Sequence, residues 1–312
     1  MPQQSLFPRV TLPLVAMVLA SAAWASAPAG SQRTYATPQE AAKALVVAGE
    51  ADDVAALAKI FGPEAEEILK SGDSVEDKNN RARFVKRAKQ SLEVRINPAN
   101  ANRASLLIGT DRFPFPIPLV RSAGRWHFDT PAGKTEILAR RIGSNELDAI
   151  ATCKAYVDAQ YDYATEDRNK NGIPEYARKL ISSPGKRDGL FRPESDGDGP
   201  ETQFTAEVKR AQSEGYRQKG DTPTPYHGYY FRILTAQGPK AHGGALEYIQ
   251  HGSMIGGFGL VAWPVEYGVS GIKTFVVNQD GTIYEKDIGA RTSAAAAATT
   301  AFDPDRTWRR VR

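Results

Sequence analysis

The chain has 312 residues, with 40 Lys and Arg against 36 Asp and Glu, a single cysteine, and hydrophobic residues making up 41%. One cysteine excludes an intramolecular disulfide, so a buried apolar core must supply the stability that bridges give small secreted domains. The near-balance of charge, despite a pI near 9.0, argues against nucleic acid as a partner.

The chain opens MPQQSLFPRVTLPLVAMVLASAAWASAPAG. Arg9 gives a positive start, Val10 to Ala23 an apolar centre, and Ala23-Trp24-Ala25 a cleavage site of the A-x-A kind, the pattern of a secretory signal peptide over residues 1–25. Cleavage is expected after Ala25, with Ala27 as the near alternative. The apolar run falls short of the roughly 20 residues a membrane anchor needs, and no later segment is long and apolar enough, so no membrane span is expected after cleavage. Removal of Arg9 leaves 39 bases against 36 acids. The expected compartment is the periplasm.

Thr37, Pro38 and Glu40 form a helix start with a capping box. Gly49 and Gly62-Pro63 divide the helical region from there on into two short helices, and a third is predicted over Val75 to Leu92. The basic stretch RARFVKRAKQ on that third helix reads as a solvated face rather than a polyanion site. The period then changes. SLEVRI, ASLLIG, FPFPIPLV and GRWHFDT are predicted as strands of a small meander. Prolines at 114, 116 and 118 remove amides from one side of their strand, which places it at a sheet edge or in polyproline geometry. His127 reads as a surface strand residue. Three helices and then an antiparallel sheet make an α+β layer, loosely similar to nuclear-transport-factor-like cone folds, which often enclose small-molecule pockets.

From Pro131 to Ala164 the pattern is again helical, with a break predicted at Gly143 and Ser144. The second helix carries an apolar stripe at Leu147, Ile150, Ala151, Val157, Tyr161 and Ala164. Strands are expected in HGYYFRILTA, GGFGLVAWPV and GIKTFVVNQDGTIYEKDIG, the last folding back at Asn278-Gln279-Asp280-Gly281. Apolar residues on both parities of Ile272 to Val277 predict a strand covered on both faces. The tail TSAAAAATTAFDPDRTWRRVR brings Phe302 and Trp308 either back onto the body or out to a partner. The expected organisation is therefore a signal peptide (1–25), an N-terminal α+β domain (34–142), a helix-plus-sheet domain (144–290) and an Ala-rich tail (291–312).

Candidate chemistry is sparse. Asp167, Asn169, Asn171 and Glu175, with Gly172 between, carry oxygens as a calcium loop would, but the twelfth position from Asp167 is Arg178 and the segment Glu166 to Lys179 is net positive by one. A turn held by Asx hydrogen bonds is favoured over the metal there, with calcium the one cofactor considered. ESDGDGPET is a second acidic, Gly-rich loop, read as surface. The glycines of GSMIGGFGL do not space as a phosphate-binding G-x-G-x-x-G and point to close backbone approach. Histidines stand at 127, 227, 242 and 251, without a nucleophile elbow, an H-E-x-x-H or a C-x-x-C. Cys153 lies mid-helix with no adjacent base and is expected to be inert.

The segment Gly271, Phe275, Val277, Gly281, Ile283 after a long helix is similar to the closing hairpin of type IV pilin-like proteins, although the apolar N-terminal helix and prepilin cleavage site of pilins are lacking. Over nearly the whole mature length, YATPQEAAKAL, PFPIPLVR, GRWHFDT, NGIPEYA, YHGYYFRIL, MIGGFGLVAWPVEYG and FDPDRTW resemble the exported bacterial family called domain of unknown function 2950. That resemblance implies an exported, periplasmic protein of a Gram-negative bacterium, and no particular activity or catalytic residue. The expected function is a non-catalytic envelope protein acting through protein contacts in assembly or maintenance, with a protein partner. The alternative is a periplasmic small-molecule-binding or hydrolytic protein that uses the first domain's cone or the His-bearing loops.

Overall fold

The computed structural model describes residues 32–168, 170–191, 202–217 and 224–312. The expected signal peptide (1–25), Asn169 and nearly all of the acidic loop 194–202 lie outside them. The architecture is α+β.

Four helices come first: α1 (Pro38–Glu50), α2 (Val54–Phe61), α3 (Ala65–Leu69) and α4 (Ser74–Gln90). The α1 start is as expected: Thr37 Oγ1 accepts the Glu40 amide at 3.2 Å, and the Glu40 carboxylate reaches back to the Ala36 amide at 3.1 Å. One helix more than expected appears because Ala65–Leu69 forms its own turn after Gly62, whose φ is +80°. The first sheet contains β1 (Leu92–Asn97), β2 (Asn100–Ile108), β3 (Phe113–Pro114), β4 (Leu119–Ser122) and β5 (Arg125–Phe128), in the order β1-β2-β4-β5 with β3 also on β2, all antiparallel. The proline run divides rather than forming one strand. Phe113–Pro114 pairs with β2, and a full strand resumes only after Pro118, at Leu119, inside the sheet. Leu45, Leu57, Ile60, Leu106, Ile117, Leu119 and Phe128 form the first core between helices and sheet.

Helix α5 (Thr130–Tyr163) runs 34 residues without the break predicted at Gly143. A Cβ on Gly143 would meet nothing within 4 Å, so this glycine costs only its intrinsic propensity, about 1 kcal/mol, and packing at both ends of the helix outweighs that. Arg141 donates to the carbonyls of Glu67 and Ile68 at one end, and Tyr156 donates to Gly259 O at the other. The apolar stripe also needs correcting. Leu147 is 69% exposed and Tyr161 47%, whereas Asn145, Ala149, Thr152, Cys153, Tyr156, Ala159, Gln160 and Tyr163 are buried. Polar residues occupy the packed face because they serve the backbone there: Asn145 Nδ2 donates to Ser270 O at 2.9 Å, and Gln160 both donates to Ala177 O and accepts its amide.

Beyond α5 come β6 (Lys179–Ile181) and β7 (Gly189–Phe191), a parallel pair, then α6 (Gln203–Glu214), β8 (Tyr229–Leu234), β9 (Ala236–Gln237), β10 (Leu246–Glu247), β11 (Ile249–Gln250), β12 (Ser253–Met254), β13 (Gly259–Pro264), β14 (Lys273–Asn278), β15 (Tyr284–Asp287), α7 (Thr292–Ala298), β16 (Ala301–Phe302) and β17 (Arg309–Arg310). The main sheet is antiparallel in the order β17-β15-β14-β13-β8. Alternation along it is strict. Leu260, Ala262, Phe275 and Val277 pack with Cys153, Tyr156 and Val157 of α5, while Val261, Trp263 and Val276 pack on the opposite face with Ala296 and Phe302. The strand is thus covered on both faces, and the tail docks on the body. Arg232 holds α7 there by donating to the carbonyls of Ala296, Ala297 and Thr299 at its C-terminal end.

The expected turn is present: the Gly281 amide bonds Asn278 O at 3.0 Å and the Asp280 amide bonds Asn278 Oδ1 at 3.2 Å. On the far side of α5, Phe191 and Phe204 pack on Ala155 and Ala159, so α5 lies between the sheet and α6.

Candidate functional site

Two places in this fold concentrate features that could act. The first is a cavity of about 140 Å³ in the N-terminal unit. Helices α1 to α5 and the chain after β3 meet around it because their apolar faces converge without filling the space between Leu45, Leu57, Phe61, Ile68, Phe84, Phe115 and Ile137. The rings are already in contact, Phe61 with Phe115 at 6.4 Å and 23°, Phe84 with Phe115 at 5.4 Å and 52°. Asp77, Asn80, Arg81 and Arg141 make the polar end, and Asn80 is exposed, so that end faces solvent.

Each of these polar groups has a partner. Asp77 accepts the Ser71 amide at 2.9 Å, Asn80 donates to Glu76 at 3.0 Å, Arg81 donates to Asp52 at 2.6 Å, and Arg141 holds its two carbonyls. Burial pushes the Asp77 carboxyl above the usual carboxylate range, with the Ser71 hydrogen bonds working against it. Burial likewise pulls Arg141 down against the opposing fields of Asp77, Glu76 and Glu266.

The second place is the junction between the two cores. His227 takes a left-handed conformation, φ +47°, and lies between two carboxylates: Nδ1 is 2.7 Å from Asp148 Oδ2 on α5 and Nε2 is 2.8 Å from Glu214 Oε2 at the end of α6. A neutral imidazole has one N–H, so two carboxylate partners fit the imidazolium, in which both nitrogens donate. Burial works to lower the His227 pKa, and the hydrogen bonds to Asp148 and Glu214 outweigh it, so the net direction is upward. Asp73 is wholly buried beside this site. Its Oδ1 caps α4 through the Glu76 amide at 3.1 Å, while Oδ2 accepts the Tyr216 hydroxyl at 2.8 Å and the Gly228 amide at 3.0 Å. Burial and then Asp73 itself push the Tyr216 hydroxyl strongly upward, so it remains a proton donor. Gly228 has φ +73°, and a Cβ there would come within 2.3 Å of Asn145 Nδ2, so only glycine fits.

The other residues singled out by sequence do not join these places. Asp167 accepts the Asn171 amide at 3.1 Å and the Gly172 amide at 2.7 Å, and Asn171 Oδ1 accepts the Ile173 amide at 2.9 Å. The Asn171–Ile173 bond is an Asx turn, while the Asp167 bonds reach four and five residues along the loop. Glu175 turns to the Met254 amide at 3.1 Å, and Asn171 donates to Ser253 Oγ at 3.2 Å. Gly172 is left-handed, φ +89°, but the long helix has already ended at Tyr163. Among the described residues, no group of three or more His, Cys, Asp or Glu is placed to hold a metal ion.

Cys153 is fully buried, and burial pushes its thiol up to about 12. His242 and His251 are exposed, and His127 is half-buried on β5. Glycines of GSMIGGFGL allow close approach, since a Cβ on Gly256 would lie 2.4 Å from Glu247 O. On α4, Arg81, Arg83, Arg87 and Lys89 pair with Asp52, Glu76, Asp111 and Glu50, so the basic stretch is an ion-paired face.

Sequence reasoning did not find the His227 site. Asp73, Asp148 and Glu214 are 154, 79 and 13 residues from His227, and no local spacing announces them; the one legible signal was the His227-Gly228 pair before an apolar strand. Among the described residues, no helix is long and apolar enough to cross a membrane. The comparison with curated proteins found no match, and neither did the comparison with solved structures. The family model described as Protein of unknown function (DUF2950) matches residues 32–311, and the chain belongs to that family.

Proposed function

We propose that this protein is an exported, non-catalytic binding protein of the periplasm, whose N-terminal unit takes up a small apolar molecule. The cavity between helices α1 to α5 and the chain at Phe115 carries this reading. Pre-formed, mostly apolar hollows with a few polar groups at one end are how proteins bind small molecules, and a dry apolar cavity of about 150 Å³ is large enough for benzene. The non-catalytic part is supported by the strongest acid-base candidate, His227, having both ring nitrogens engaged, and by the buried, protonated thiol of Cys153. Calorimetric titration of the mature chain with toluene tests the reading. Saturable heat that is lost in Leu57→Phe, which fills the cavity, supports it; absence of binding by toluene and by other small aromatics rejects it.

A second reading is an envelope assembly module working through a protein partner. The packing of α5 on an antiparallel sheet supports it, since the arrangement resembles the globular part of pilin-like proteins, as does the exposure of Leu147 on that helix. Photo-crosslinking in the periplasm from a probe at position 147 tests it: one discrete adduct supports a partner, and none rejects it.

A further inference from the structure

Resting on the small-molecule reading, we infer that the cavity selects a neutral aromatic ring carrying at most one small hydrogen-bonding group, the chemistry of a phenol, over charged molecules of the same size. Size, wall and polar end lead there together. The volume, about 140 Å³, suits a single ring. Phe61, Phe84 and Phe115 line it and already contact one another, so a flat guest joins an existing ring cluster.

The polar end is decisive. Arg81 is paired with Asp52 at 2.6 Å, and Arg141, which donates to two carbonyls, lies in the field of Asp77. The two guanidinium groups and the two carboxylates offset one another, so a carboxylate guest meets Asp77 and an ammonium guest meets Arg81 and Arg141. Either must leave water for a place where the opposite charge is already taken. A neutral ring displaces no ion pair, and the guanidinium groups favour an electron-rich π face.

The experiment is a parallel titration of the mature chain with phenol, toluene, benzoate and benzylammonium. Phenol and toluene are expected to bind with saturable heat and to raise the melting temperature, with benzoate and benzylammonium at least about tenfold weaker. Arg81→Gln is expected to weaken phenol and to leave Asp52 unpaired, improving benzylammonium relative to benzoate. Benzoate or benzylammonium binding as tightly as phenol would overturn the inference while leaving the cavity as a binding site; failure of all four would overturn both. Loss of phenol binding in Leu57→Phe with an unchanged melting temperature places the guest in the cavity. If that variant does not fold, Ile137→Phe takes its place, and phenol bound equally to a folded filled variant would overturn the assignment.

Discussion

His227 is the residue on which the most polar geometry converges. Its pKa is raised above the unfolded value of about 6.5, so its stabilisation is fully present below that value and is lost as pH rises through the folded pKa. The melting temperature is therefore expected to fall as pH rises from 6 through 9, and His227→Gln is expected to flatten that slope. The substitution should also cost about 3 kcal/mol at pH 6, because Asp148 and Glu214 would be left facing one another without a cation. Denaturation monitored at several pH values checks both; a slope unchanged in the variant would remove His227 from the account. The Asp167 loop makes a second prediction at this scale. Its oxygens already accept amides, and the segment is net positive, so calcium at millimolar concentration is expected to give neither heat nor a melting shift. A calcium-dependent rise in melting temperature would establish the ion.

Elements depart from local sequence signals where distant packing decides. Gly143 and Ser144 resemble a helix end, yet α5 passes through them, because its first half is anchored by Arg141 on α3 and its second half by Tyr156 and Gln160 on the sheet and loop. With open space around Gly143, Gly143→Ala is expected to stabilise by about 0.5–1 kcal/mol, read from chemical denaturation. Destabilisation would show a bend there that the continuous helix does not have. The Gly271–Ile283 hairpin makes the converse case, in which strand and turn pattern and fold agree. Phe275, Val277 and Ile283 fill the core under α5, Gly271 lets the Tyr229 ring approach, since a Cβ would lie 2.2 Å from its oxygen, and Gly281 supplies the positive φ of the turn.

The molecule as a whole has two main cores, one from Tyr35 to Phe128 and one from Ala149 to Ile283, with α5 running from the first to the second. Besides that helix, Asp73 ties the units at their junction, capping α4 of the first while holding Tyr216 and Gly228 of the second, and Asn79 on α4 donates to Glu214 O at 3.1 Å. Asp73→Ala removes the cap, worth about 1 kcal/mol, and leaves two buried donors unpaired at about 1–3 kcal/mol each. The variant is expected to unfold in two transitions where the parent unfolds in one. Intrinsic fluorescence and far-ultraviolet circular dichroism, monitored together through a urea series, check this, and coincident curves in the variant would assign the coupling to α5 and the Asn79–Glu214 bond instead of Asp73.

Strand periodicity, helix caps and turn chemistry are properties of neighbours in the chain, and they are enough to give the α+β class, the α1 start, the two-faced β14 and the Asn278 turn. The pairing of His227 with Asp148 and Glu214, the Asp73 connection, the polar buried face of α5 and the cavity beside Phe115 belong to tertiary structure. Each joins residues tens to more than a hundred positions apart, or depends on volume left unfilled between elements. A linear pattern records which side chains are apolar or charged, but hydrogen-bond partners and empty space are set only when separate elements pack together.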